Sequence, residues 1–143
     1  MATFPHSRGD FPDPFPIAES LAKPDPGDTG WQNDLAISYG KIASVFVIQN
    51  KFADALAAYQ KAFAIVEKLV KSDPDNADWQ HDLAAHYGKL ADVYRLSGER
   101  DKAQAALQDG QRIMERLTNL APENSVWKND LAWFNDQIAA LTK

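Results

Sequence analysis

The sequence predicts an all-α chain built as a repeat array, and three observations carry that prediction. The phrase Trp31-Gln32-Asn33-Asp34-Leu35-Ala36 returns as Trp79-Gln80-His81-Asp82-Leu83-Ala84 and again as Trp127-Lys128-Asn129-Asp130-Leu131-Ala132, 48 residues apart each time. A fixed period of this size marks stacked supersecondary units, none of which buries its apolar face alone. Between the phrases, apolar residues recur at steps of three and four, the period of a helix rather than of a strand. Of the 48 positions in 31–78, 19 hold the same residue in 79–126, so one unit is repeated.

Taken in order, residues 1–16 carry Phe4-Pro5, Phe11-Pro12 and Phe15-Pro16. Proline removes a backbone donor and steers its predecessor away from helix, so a Pro/Phe-rich flexible tail is expected, or a segment that docks in a groove. Residues 17–30 read as a half-repeat remnant and linker. Ile17, Leu21 and Lys23 fall on Ile65, Leu69 and Lys71 when shifted by one period, and the run from Pro24 to Gly27 stops the short helix.

Repeat 1 spans 31–78. Its first helix runs from Trp31 to about Gln49 with Leu35, Tyr39, Ile42 and Phe46 on one face, and Asn50 breaks it. The second runs from about Phe52 to Lys71 with Ala55, Tyr59, Ala62, Val66 and Val70 in one stripe. Asp73-Pro74-Asp75-Asn76 ends that helix and caps the next, since Asn and Asp side chains satisfy free N–H groups at a helix start. Repeat 2, 79–126, follows the same plan, with Gly98 at the turn and the second helix from about Asp101 to Leu120. A last helix from Val126 to about Thr142, within 127–143, is the first half of a third unit.

Composition narrows the function. Net charge of −5 argues against nucleic acid, which calls for a basic face, and mildly favours a neutral or basic partner. Cysteine is absent, which removes disulfides, thiol catalysis and cysteine–zinc sites. The N-terminus shows neither the basic nor the apolar region of a signal peptide, and no apolar run is long enough to cross a bilayer, so a cytoplasmic protein is expected.

Within each copy a second pattern emerges. Copy one offers Tyr39, Ile42-Ala43 and Phe46, then Ala55, Tyr59, Ala62 and Pro74. Copy two offers Tyr87, Leu90-Ala91 and Tyr94, then Ala103, Leu107, Gly110 and Pro122. These positions resemble the tetratricopeptide repeat family, in a bacterial-type variant with both helices lengthened from the usual unit of about 34 residues. Long-helix bacterial proteins with the phrase Asp-Pro-x-Asn-x-x-Trp-Gln-x-Asp-Leu-Ala look similar. The resemblance implies a right-handed helix–turn–helix solenoid of about five long antiparallel helices, preceded by the short remnant, with each full helix roughly 30 Å long.

The resemblance also implies a protein- or peptide-binding scaffold, because the first helices of successive units line a concave face. Carried over by position, that face presents Asn33, Ile37, Gly40, Ser44 and Val47 from the first copy. His81, Ala85, Gly88, Asp92 and Arg95 come from the second, and Asn129, Trp133 and Asp136 from the last helix. Gly40 with Ser44, and Gly88 with Asp92, stand where chaperone-tail binders of the family carry a Lys and an Asn, which argues against that function. The two glycines either allow tight helix contact or let a ligand approach the backbone.

Trp31, Leu35, Tyr39, Trp79, Leu83, Tyr87, Trp127 and Leu131 are expected to form the repeat core, since they recur in step with the unit. Asp34, Asp82 and Asp130 are expected in the first helical turn, complementing the helix dipole and bonding a neighbouring group. Trp133 breaks the repeat, replacing Ile37 and Ala85. It either lies over its own helix or joins the end of the solenoid to a second copy, making a homodimerisation module or the adaptor part of a larger signalling protein. No enzyme is expected: His81 and His86 fall on different sides of a helix, and no nucleophile, phosphate loop, metal-ligand spacing or cofactor motif accompanies them.

Overall fold

Helix starts keep the 48-residue period. The computed structural model describes residues 29–142, and in it five helices follow one another: α1 (Thr29–Ile48), α2 (Phe52–Ser72), α3 (Ala77–Leu96), α4 (Arg100–Leu120) and α5 (Ser125–Leu141). No strand occurs among the described residues. The Phe-Pro tail and the short helical remnant expected within 1–28 lie outside the described residues, while Thr29 and Gly30, assigned above to a linker, open α1.

The start signal of α3 and of α5 is the asparagine immediately before the helix, not the tryptophan three residues later. Asn76 and Asn124 each accept a hydrogen bond through Oδ1 from the backbone N–H of Trp79 and Trp127, both at 3.1 Å. A cap of this kind is worth about 1 kcal/mol. Because each helix begins before its Trp, Asp34, Asp82 and Asp130 sit in the second turn. The dipole role expected for them fails on this ground, since the field falls off within the first turn.

The turns between α1 and α2, and between α3 and α4, are the same structure with different residues. Asn50 has φ 61° and Gly98 has φ 85°. In the first, Lys51 N–H donates to the Phe46 carbonyl and Asn50 N–H to that of Val47; in the second, Glu99 donates to Tyr94 and Gly98 to Arg95. This pair of bonds closes a helix through a left-handed residue, a place for which Gly is the first choice and Asn the second.

Neighbouring helices run antiparallel. Ser44 and Tyr59 hydroxyls meet at 3.1 Å while Lys61 lies over the Tyr39 ring, so higher numbers on α2 face lower numbers on α1. The same reversal relates α3 to α4 through Lys102 over Tyr94 and Arg116 with Gln80, and α4 to α5 through Gln111 with Asn135 and Arg100 with the Leu141 carbonyl. Each helix packs on the next in sequence. Ala43, Ala55, Ala58 and Ala62 are 0% exposed, so the α1–α2 and α2–α3 contacts close over methyl groups, with Tyr39 and Val66 buried among them.

Of the residues expected in the repeat core, Tyr39 and Leu83 are buried. Leu35, Tyr87, Trp127 and Leu131 are half-buried against the core, Tyr87 meeting Phe63 edge-on at 4.8 Å. Trp79 is half-buried. Trp31 departs from the core expectation, being 40% exposed. Each inner helix packs on two others, whereas among the described residues α1 packs along its length on α2 alone, which leaves its early turns an open side.

Candidate functional site

Alternate helices run parallel, one repeat apart, and their facing sides form two clefts. Between α3 and α5, His81 Nε2 meets Asp130 Oδ2 at 2.5 Å, and further along, the Trp133 ring lies against Gly88. A Cβ on Gly88 would stand 3.1 and 3.2 Å from that ring, so the absence of a side chain is what lets Trp133 in. Phe134 enters beside it, edge-on to Trp133 at 5.0 Å, and is buried against Gly110 of α4. With those two rings seated, the cleft that remains has a volume of about 280 Å³.

The cleft between α1 and α3 is larger, about 460 Å³. Asn33, Ile37, Gly40 and Ser44 line it from α1, Asp82, Ala85, His86 and Lys89 from α3, and Val66 comes from α2 between them. Its size follows from the repeat. Ala85 stands where Trp133 stands one unit later, and Gly40 stands where Gly88 does. A methyl group replaces an indole, and a Cβ on Gly40 would meet nothing within 4 Å.

Electrostatics differ along this cleft. Burial raises the Asp82 carboxyl above the ordinary carboxylate range, with His81 and Lys89 pulling it down and Asp78 pushing it up. Burial also lowers His86 from 6.5 to about 4, and Lys89 adds to the effect, so the ring is neutral at pH 7. Its Nδ1 is buried without a hydrogen-bond partner. Lys41 and Lys89, one repeat apart, are exposed residues of the same lining.

The carried-over face is partly assembled by this geometry. Asn33, Ile37, Gly40, Ser44 and Ala85 line the α1–α3 cleft, and His81, Ala85, Gly88, Asp92 and Trp133 line the α3–α5 cleft. Val47 instead packs against the core around Tyr59, and Arg95 pairs with Asp92 at 3.5 Å. Asn129 and Asp136 are exposed and line neither cleft. Lys41, Lys89 and Phe134 were missed. The recurrence of Tyr-Gly-Lys at 39–41 and 87–89 was the available signal for the lysines. His81 and His86 open onto different clefts and share no ligand geometry. No group of three or more His, Asp or Glu side chains suited to a metal ion occurs among the described residues, and none of the described helices is long and apolar enough to cross a membrane.

No protein-family model matches this chain, and no curated protein is similar to it.

Proposed function

We propose that the chain is a non-catalytic scaffold of tetratricopeptide-like build, holding a protein or peptide on the face formed by α1, α3 and α5. The observation that carries this reading is the open α1–α3 cleft, built from repeat positions that accept an aromatic ring one unit later and left vacant here by Ala85. A mixed lining, with apolar walls and a few placed polar groups, is what a recognition groove presents. The test is selection of displayed peptides on the full chain. Enriched peptides are expected to lose binding to Ala85→Trp, which places an indole over Gly40; peptides indifferent to that change would contradict the reading.

A second reading, self-assembly through α5, has its own observation. Ala84 and Ala91 of α3 are 1% and 3% exposed, yet the repeat-equivalent Ala132 and Ala139 of α5 are exposed, beside half-buried Leu131 and Ile138. Trp133 is already engaged on Gly88, so the surface for a second copy is this outer side of α5. Sedimentation of the native chain and of Ala139→Glu decides it. A dimer abolished by the charge supports the reading, and a monomer at all concentrations removes it.

A further inference from the structure

We propose that the α1–α3 cleft takes an extended peptide segment carrying an arginine or lysine two places from an aromatic residue, with the cation on Asp82 and the ring over Gly40. The inference rests on the reading of this face as a binding surface and names the chemistry that the surface selects.

The neighbouring cleft supplies the template. There His81 of α3 meets Asp130 of α5 at 2.5 Å, and Trp133 of α5 packs on Gly88 of α3. One repeat earlier the two receiving positions are kept and both occupants are lost. Asp82 stands in the place of Asp130 and Gly40 in that of Gly88, whereas Asn33 replaces the imidazole of His81 and Ala85 replaces the indole. All four line the α1–α3 cleft. Over Gly40 the vacancy is one of shape, since a Cβ there would meet nothing within 4 Å.

At Asp82 the vacancy is one of charge. The residue is half-buried, and its carboxyl forms no hydrogen bond or ion pair among the described residues. Burial raises the carboxyl above its ordinary range, as expected of an acid that has lost water without gaining a bonded cation. A guanidinium or ammonium group from outside would supply that partner through a charge-assisted bond. Asp78 adds negative charge nearby, and the chain's net charge of −5 favours the approach of a basic segment. Lys41 and Lys89 are exposed residues of the same lining, and their repulsion is screened by salt and water. Lys89 also lines the template cleft, where the His81–Asp130 contact forms all the same.

The spacing of the two vacancies sets the spacing in the ligand. Asp82 and Ala85 are three residues apart on α3, about 5 Å along its axis, and Asn33 and Gly40 are seven apart on α1, about 10 Å. In an extended peptide, side chains two places apart share one side and stand about 7 Å from each other, within that interval.

The probes are two acetylated and amidated peptides, Ser-Arg-Ser-Trp-Ser and Ser-Glu-Ser-Trp-Ser, titrated into the full chain at pH 7 and followed on the Gly40 amide resonance. The arginine peptide is expected to bind at least tenfold more tightly than the glutamate peptide. Asp82→Asn should erase that preference, and Asp82→Lys should reverse it. Asn33→His, which offers Asp82 the internal partner that Asp130 already has, should erase it as well. Equal affinities for the native chain overturn the proposal, as does an arginine preference that survives Asp82→Lys or a Gly40 resonance that neither peptide moves. Library-selected peptides that lack a basic residue, yet bind the native chain and not Ala85→Trp, sink this inference alone and leave the scaffold reading standing. Selected peptides indifferent to Ala85→Trp remove both.

Discussion

At Gly40, Gly88 and Gly110 the same change, glycine to alanine, meets three different surroundings. Each lies inside a helix, where alanine is favoured by about 0.5–1 kcal/mol. Gly40 has nothing within 4 Å of the new methyl, so Gly40→Ala should raise the unfolding free energy by that amount, read as a higher urea midpoint. Gly88→Ala sets the methyl 3.1 Å from the Trp133 ring, and the strain roughly cancels the propensity gain. At Gly110 the methyl would fall closer than 3.0 Å to the Phe134 ring, which is 3% exposed and has little room to retreat, so a net loss of about 1–3 kcal/mol is expected. A common sign for all three in denaturant titration would contradict these contacts. His86 is the other residue with a distinctive signature. Its pKa near 4 lies below the 6.5 of an exposed ring, so as pH falls the unfolded chain takes up the proton first. Stability is intact above about pH 6.5 and lost between there and pH 4, by up to about 3 kcal/mol before screening at its exposed edge. His86→Phe, which installs the residue found one repeat later, should flatten that slope in thermal melts between pH 4 and 7.

Helices were the most legible level, because their apolar period is set by packing that recurs in every copy. Their starts were not. Trp79 and Trp127 are the repeated residues, but entry into their helices is decided by the side-chain oxygens of Asn76 and Asn124 three residues earlier. That offset moved Asp130 out of the first turn and onto His81 of α3, a contact between elements 49 residues apart that no pattern within one helix can reveal. The carried-over face was legible through α1 and α3, where the helical register holds, and less so at Val47 and Arg95, where the helix ends turn toward the core or a local partner. Lys41 and Lys89 were passed over because lysines on a helix ordinarily serve as solvated surface. The turns give this scale its prediction. Asn50→Ala and Gly98→Ala each force a methyl-bearing residue into the left-handed region and should cost about 1–2 kcal/mol. Asn50→Gly should cost nothing, and an equal loss from all three would mean that backbone handedness is not what the turn requires.

Over the whole molecule, a repeat with one substituted position explains both clefts. The α3–α5 cleft is occupied by Trp133 and Phe134 from within, while the α1–α3 cleft keeps the same glycine notch and lacks the ring. Among the described residues the α3–α5 cleft is therefore filled and the α1–α3 cleft is open, and the binding reading depends on that asymmetry. Ala85→Trp addresses it directly. The new indole should pack on Gly40 as Trp133 packs on Gly88, raising stability by about 1–2 kcal/mol through added apolar burial while removing the vacancy. The decisive measurement is calorimetric titration of a selected peptide into the native chain and into Ala85→Trp. The account predicts measurable binding to the first and none to a second protein that is as well folded and more stable. Equal affinity for both would show that the cleft between α1 and α3 is not the site that holds the peptide.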